Sequence, residues 1–437
     1  MNLVWFHNNL RCADNAALTA ACAGKGRVIA LYCFDPKFFQ RDANGFLRTE
    51  KFRAQFLLQS LQDLRRQLRA LNIPLIIRRG FPADEITALA TDCGIRDIYL
   101  QQEWTRDERI EIGHLRTHRQ NQTLKLHAYY DQFLVHPDDL PYGDVSEIPE
   151  VFTAFRKVVE ANWNVRAALA IPPACPAENR RAPVPEGELP TLVDLGLDGF
   201  SIDPRSAFPF AGGSTAGAQR LTHYFWQSEN ITRYKQTRNG LIGTEYSSKL
   251  SPWLANGSLS PRQVYWALRA FERDVIANED TYWLVFELLW RDFFKYISRK
   301  HCDRIFSLNG IRGQEYDWHH DTQTLQNWIR GETQYDFINA NMRELALTGW
   351  MSNRGRQNVA SFWAREMKQD WRIGAAWFES LLIDYDVHSN YGNWMYNSGV
   401  GNAPRDRRFN IQRQAEQYDP GGSYRQLWCN PQTPMQT

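Results

Sequence analysis

Between Gly349 and Trp394 the sequence crowds together Trp350, the run Ser352-Asn353-Arg354-Gly355-Arg356-Gln357, Trp371, Asp384, Asp386, Asn390 and Trp394. Indole, carboxylate, amide and guanidinium in one short segment suit a large planar heterocycle, with apolar walls for its faces and a few polar groups for its rim. Asp384 and Asp386 stand among Leu381, Leu382, Ile383 and Val387, so each carboxylate needs a partner if it is buried. Arg356 is the candidate partner of Asp384. The other carboxylate could accept from a heterocycle N–H such as an isoalloxazine offers, and Asn390 could face a ring nitrogen whose protonation follows its redox state. A structural ion pair plus a loop asparagine satisfies the same pattern.

Three further groups point the same way, each with a plainer alternative. Tyr246-Ser247-Ser248-Lys249-Leu250-Ser251-Pro252 puts hydroxyls and backbone amides at a helix start, where a pyrophosphate could sit; a serine-rich cap is the alternative. Among 16 tryptophans, Trp318, Trp371 and Trp394 could pass an electron hole from a buried flavin to the surface, although most tryptophans serve a core. Arg291, Arg354, Arg407 and Arg408, with Lys295 nearby and Trp290, Phe294 and Tyr396 interleaved, could contact phosphates around a base-holding cavity; a solvated helix face is equally consistent.

Strands and helices must position these groups. Short apolar runs at Leu3–Phe6, Val28–Phe34, Leu75–Ile77, Ile98–Leu100 and Leu124–Leu126 alternate with amphipathic stretches such as Phe52–Leu71, which predicts a parallel sheet covered on both faces. Asp14 is the expected N-cap of the first helix. Neither Gly-x-Gly-x-x-Gly nor Gly-x-x-x-x-Gly-Lys occurs, so the usual phosphate loops are missing. Prolines at 172, 173, 176, 183, 185, 190 and 204 mark a connector, with a short helix near Val151–Ala168. Helical patterns follow: one capped by Ser260-Pro261, then Thr281–Tyr296, Phe337–Leu347 and Asn358–Met367. The expected units are an α/β domain over 1–136, a connector over 137–205 and an all-α domain over 206–437.

Composition excludes several classes. A net charge of +2 announces no nucleic-acid partner by itself, so any DNA contact must come from a local patch. The seven scattered cysteines lack a Cys-x-x-Cys pair and read as free thiols in a reducing compartment. His319-His320 has no ligand spacing around it, and no metal is expected. No apolar run is long enough to span a membrane. A cytoplasmic monomer is the expectation.

The motifs resemble those of the photolyase/cryptochrome superfamily, and within it the cryptochrome DASH branch. The resemblance rests on Trp5-Phe6-x-x-x-Leu10-Arg11-x-x-Asp14-Asn15, Ser247-Ser248-Lys249-Leu250-Ser251-Pro252-Trp253-Leu254, Glu287-Leu288-Leu289-Trp290-Arg291-Asp292, Gly349-Trp350-Met351-Ser352-Asn353-Arg354-Gly355-Arg356-Gln357 and Asp384-Tyr385-Asp386-Val387-x-x-Asn390-Tyr391-Gly392-Asn393-Trp394. It implies a Rossmann-like antenna domain followed by a helical domain that binds FAD and DNA. By position, Tyr234, Ser247, Ser248, Lys249, Leu250 and Ser251 would hold phosphates. Glu287, Asn353, Arg356, Asp384, Asp386 and Asn390 would surround the ring. Trp394, Trp371 and Trp318 would form the photoreduction chain, from the flavin outward. Glu108 would grip a 5,10-methenyltetrahydrofolate antenna. Trp290, Arg291, Arg354, Gln357, Tyr396 and Arg407 would meet DNA.

The implied activity is light-driven splitting of cyclobutane pyrimidine dimers, a deoxyribodipyrimidine photo-lyase-like carbon–carbon lyase reaction, chiefly on single-stranded DNA. Gln357 and Tyr396 replace the methionine and tryptophan of conventional photolyases, which weakens the grip on a flipped dimer, and flipping costs least from a single strand. The alternative is a blue-light photoreceptor that signals through flavin photoreduction, with DNA binding and transcriptional regulation as its output. His7, Asn8, Gln334 and Asn339 depart from the branch pattern.

Overall fold

The computed structural model describes residues 1–118, 123–405 and 407–430. The first segment alternates as expected: β1 (Asn2–Phe6), α1 (Ala16–Ala23), β2 (Val28–Phe34), α2 (Lys51–Ala70), β3 (Leu75–Arg79), α3 (Pro82–Cys93), β4 (Asp97–Gln101), α4 (Arg106–Thr117) and β5 (Lys125–Tyr129). The strands form one parallel sheet in the order β3-β2-β1-β4-β5. The two-residue period divides its side chains. Val4, Phe6, Val28, Ala30, Leu75 and Ile77 pack on Leu18, Leu61, Leu64 and Leu68 on one face. Leu3, Trp5, Ile29, Leu31 and Ile76 pack on Ile86, Leu89 and Leu115 on the other. Strand order reverses between β1 and β4, and in such sheets a crevice opens beyond the carboxyl ends of the strands at that point.

Asp14 is not the cap of α1. Asn15 caps it, its side chain accepting from Leu18 N at 2.9 Å. Asp14 has φ +53°, and its carboxylate is held by Arg262 at 2.7 and 3.0 Å and by the Ser260 hydroxyl. A residue that resembles a local cap is therefore a tie across 248 positions of sequence.

The proline-rich connector is stitched to the sheet: the Asn179 side chain bonds both the N–H and the carbonyl of Val28 at 2.8 and 2.9 Å. Its one helix of two turns or more is α5 (Phe152–Asn162). The rest is helical: α6 (Ser214–Thr222), α7 (Tyr234–Thr237), α8 (Ser251–Ala255), α9 (Pro261–Asp274), α10 (Glu279–His301), α11 (Thr322–Arg330), α12 (Asp336–Thr348), α13 (Asn353–Ser361), α14 (Trp371–Leu381), α15 (Val387–Ser398), α16 (Ile411–Tyr418) and α17 (Ser423–Cys429). Ser260 and Gln263 close a capping box on α9, as the Ser-Pro pair foretold. The helix expected over Asn358–Met367 differs. Ser352 caps α13 six residues earlier, and the chain widens into a π-helical turn over Phe362–Glu366.

The helical core takes in Phe52, Phe56, Trp104 and Phe133 of the first segment, so the two parts share apolar packing. Among the described residues no helix is long and apolar enough to cross a membrane, and no group of three or more His, Cys, Asp or Glu side chains could hold a metal ion. The last seven residues of the expected helical domain lie outside the described residues.

Candidate functional site

Two connected cavities lie inside the helical part. The inner one has a bipartite lining. Trp350, Met351, Phe378, Leu382 and Trp394 give apolar walls, Asp384, Asp386, Asn390 and Asn353 give polar rim groups, and Tyr234, Arg238 and Ser247–Ser251 close the other end. α13, α14 and α15 supply most of the ring end, because their caps aim the short polar side chains. Asp386 caps α15 through Ser389 N at 2.8 Å. Ser352 caps α13, and Gly355 is required there because a Cβ would lie 1.9 Å from Asn341 Oδ1.

The Arg356–Asp384 pair anticipated from sequence forms: Arg356 Nη2 donates to both Asp384 oxygens at 2.9 and 3.0 Å, and Nε to the Met351 carbonyl. The Ser251 hydroxyl also donates to Asp384 at 2.6 Å, so Ser251 ties the serine turn to the ring end. Asp386 pairs instead with Lys295, Nζ to Oδ2 at 3.0 Å. Burial pushes the Asp386 carboxyl up, but Lys295, with His388 and Arg291, outweighs it and holds the group far below the usual carboxylate range. The Asn390 side-chain N–H bonds the Ala375 carbonyl at 3.0 Å.

Lys249 lines the inner cavity, and its ammonium makes no hydrogen bond among the described residues. It has φ +61°, is 2% exposed, and sets its ammonium over the rings of Tyr246 and Trp350. Burial drives its pKa well down, with Glu344 opposing. The serine turn is organised from behind by Arg220, which donates to the carbonyls of Thr244, Ser247 and Ser248, a role the sequence did not signal.

The outer cavity is lined by Glu287, Trp290, Phe294, Gln357, Tyr396 and Arg407, and it shares Asn353, Gln357, Glu287 and Asn397 with the inner one. Trp290 is fixed by a stack on Phe152 of α5, 3.7 Å between centroids at 14°, and meets Tyr396 edge-on at 5.6 Å. Arg407 bonds the Tyr396 hydroxyl at 2.6 Å. Arg354 lies over the Tyr418 ring and bonds Gln357 and Asn239 at 3.1 Å. Glu287 stands between the cavities, paired with Arg238 at 2.5 Å; burial pushes its carboxyl up, with Arg238 opposing.

The basic set inferred from sequence is split. Arg291 and Arg407 line the outer cavity, Arg354 reaches it only through its bond to Gln357, and Arg408 is exposed. Arg291 is spent on the carbonyls of Gln132 and Leu254 at 2.5 and 2.9 Å, and Lys295 on Asp386. Arg291 binds the two parts of the chain together because α10 runs along their boundary, whereas Lys295 joins α10 to the cap of α15 within the helical part.

The three expected redox tryptophans occupy neighbouring elements. Trp394 (α15) and Trp371 (first residue of α14) are fully buried, and Trp318 is half-buried in the preceding loop. They do not touch ring to ring: Trp394 meets Phe378 and Trp328, Trp371 meets Tyr391, and Trp318 meets Tyr316.

A third cavity opens at the switch point of the sheet. β1 contributes Trp5, Phe6 and the following His7, β2 Tyr32–Phe34, and the helical side Lys295, Asp386 and His388. Glu108 lines it and accepts from the Thr105 hydroxyl; burial pushes its carboxyl up. Sequence reasoning missed Glu103 just beyond β4, although crevice residues are expected there. Burial pushes it up to about 7, and Gln101 donates to it at 2.7 Å.

A model of the DNA photolyase family matches residues 2–177, and one of the FAD binding domain of DNA photolyase matches residues 283–436. A cryptochrome DASH of Gloeobacter violaceus is 47% identical, over 98% of this chain and 85% of its own length. The crystal structure of a Synechocystis sp. PCC6803 cryptochrome superposes with a TM-score of 0.93 at 41% identity, covering 98% of this chain and 88% of that one. A bacterial class III photolyase from Agrobacterium tumefaciens gives 0.82 at 26% identity, covering 98% and 86%.

Proposed function

The chain belongs to the cryptochrome DASH branch of the photolyase/cryptochrome superfamily, and on that premise we propose that it is a light-driven lyase that splits cyclobutane pyrimidine dimers, chiefly in single-stranded DNA. The observation that carries this reading is the connection of the two cavities across Glu287, Asn353 and Gln357. One suits a planar cofactor, and the other, walled by Trp290 and Tyr396, suits a flipped pair of adjacent pyrimidines beside it.

The inner cavity fits FAD. Its apolar walls match the faces of an isoalloxazine, Asp386 is held ionised to accept from a ring N–H, and the buried Trp394 Nε1 and Lys249 Nζ have no hydrogen-bond partner among the described residues. When bound and reduced, the flavin supplies under blue light the electron that opens the cyclobutane ring. The chain's own residues bind and orient. Arg356 holds Asp384 in place, Trp290 and Tyr396 hold the flipped bases, and Arg354 and Arg407 meet the flanking phosphates. Gln357 and Tyr396 offer less stacking surface than a thioether and an indole would, so the duplex, which must be unstacked first, is the poorer substrate.

The cavity at the switch point fits a folate antenna. Glu103 and Glu108 supply carboxylates for pterin N–H groups, and aromatic side chains supply its walls. Glu103 and Glu108 take no part in the bond-breaking step; Asp386, which lines both cavities, serves the flavin.

The test is blue-light repair of a defined thymine dimer in single-stranded and duplex oligonucleotides, with dark controls. Light-dependent repair of the single strand over the duplex is expected. Equal repair of both would overturn the weakened grip. Failure on both, in protein that binds and photoreduces FAD, would replace the lyase with a photoreceptor.

A further inference from the structure

Trp394 has one indole in ring contact among the described residues, and it is Trp328, 6.4 Å away between centroids at 73°. Trp328 in turn overlaps Trp363 at 4.6 Å and 32°. All three are at most 1% exposed. They come from three elements: α15, α11 and the π-helical turn that follows α13. Trp363 is buried within that turn, and such turns often mark functional positions.

We infer that Trp328 and Trp363 form a side branch of the electron-transfer chain, an indole pair that takes the hole from Trp394 and returns it. This rests on the assignment of the inner cavity to a flavin. Once Trp394 has given up one electron, Trp328 can supply one: Trp394 returns to its neutral form, and the positive charge is shared between the overlapping rings of Trp328 and Trp363. No proton leaves. Trp328 Nε1 has no hydrogen-bond partner, and Trp363 Nε1 donates to the Asp370 carbonyl at 2.9 Å, a weak base. The pair is also sealed from water, so the hole cannot be fixed there as a neutral radical. It waits and flows back. Trp371 and Trp318 are the way out, because Trp318 reaches the surface.

The branch competes with the outward route for each hole. Removing it should raise the yield of charge that reaches Trp318. Blocking the outward route should strand the hole on the pair rather than abolish the indole signal.

The experiment is flash photolysis of the flavin-loaded full chain with detection of the indole cation, in the native protein, Trp371→Phe, Trp371→Phe/Trp328→Phe and Trp371→Phe/Trp363→Phe. The cation of Trp371→Phe is expected to live severalfold longer than that of Trp371→Phe/Trp328→Phe, with Trp371→Phe/Trp363→Phe between them. Near-ultraviolet circular dichroism without light-driven chemistry adds a second readout. The overlapping indoles should give an exciton couplet that disappears equally in Trp328→Phe and Trp363→Phe. Equal cation lifetimes in the single and double variants overturn the branch while leaving the flavin site intact, and so does a couplet unchanged by either substitution. A native protein that takes up flavin but shows no indole cation overturns the redox reading of Trp394 and the branch with it.

Discussion

Lys295 Nζ lies 3.0 Å from Asp386 Oδ2, and that contact joins the cavity at the sheet to the cavity in the helices, because Asp386 lines both. The side chains are 4% and 12% exposed. Removing one partner of such a pair leaves an uncompensated buried charge, which costs on the order of 3–5 kcal/mol. Lys295→Met should lose about that much at neutral pH. The sign with pH is diagnostic. In the native protein Asp386 is depressed, so its stabilisation is present above the ordinary carboxylate pKa and lost as pH falls through and below it. In Lys295→Met the largest cause of the depression is gone, its pKa rises, and the deficit narrows as acidification protonates Asp386. Unfolding measured at neutral and at acid pH checks this; a constant deficit would mean that the lysine acts by packing alone.

Gly374→Ala should damage the flavin cavity through one methyl group. A Cβ at Gly374 would stand 2.2 Å from Trp394 Cη2, so the indole must be driven toward the cavity it walls. Overpacking of this kind costs about 1–3 kcal/mol, and bound flavin should be largely lost. Gly113 in α4 is the control, since nothing lies within 4 Å of its Cβ position. Gly113→Ala should be neutral or stabilising by about 0.5–1 kcal/mol. Flavin absorbance per protein and thermal midpoints separate the two.

Arg356 and Asp384 were legible from sequence because two carboxylates stood in an apolar stretch with a guanidinium nearby. Lys295 was not legible as the partner of Asp386, since the residues lie 91 positions apart and meet only when α10 packs on α15. Asp14 and Asn15 are both capping types side by side, and only the distant Arg262 decides which one caps α1. The strands of the sheet were visible from short apolar runs. The π-helical turn was not, because one extra residue barely changes a helical pattern of apolar positions. The setting of Lys249 was hidden for a related reason: sequence shows a charge beside serines but not the left-handed backbone that turns it toward two rings.

Phe152 belongs to the connector yet should control the substrate wall. Its ring lies 3.7 Å from Trp290 at 14°, and such aromatic pairs are worth about 0.5–1.5 kcal/mol beyond their buried area. Phe152→Leu keeps an apolar contact and lets the indole tilt. Affinity for a dimer-containing single strand should fall by up to about tenfold, the equivalent of roughly 1.4 kcal/mol. The flavin spectrum should not change, because Phe152 does not line the inner cavity. Oligonucleotide binding in the dark measures the first and absorbance the second. Phe152→Tyr should restore binding; if it does not, stacking is not how the connector acts.

Glu103 should give the folate cavity and the fold opposite responses to pH. Burial pushes its carboxyl up to about 7; Lys295 and the bond from Gln101 oppose this, and Glu108 and Asp386 reinforce it. A carboxyl raised in the folded state stabilises most below its unfolded pKa, and that contribution is lost as pH rises through the folded value. The ligand-free protein should therefore weaken between about pH 4.5 and pH 7 through this group and level off above. Recognition of a pterin N–H needs the ionised form, so affinity for folic acid, a stable stand-in for the reduced antenna, should rise across the same carboxyl's titration near pH 7. Glu103→Gln should bind weakly at every pH and flatten both profiles. Fluorescence titrations and thermal unfolding across that range test the pair together. If binding rises with pH in Glu103→Gln as it does in the native protein, another carboxyl holds the pterin, and Glu108, on the same wall, is the next candidate.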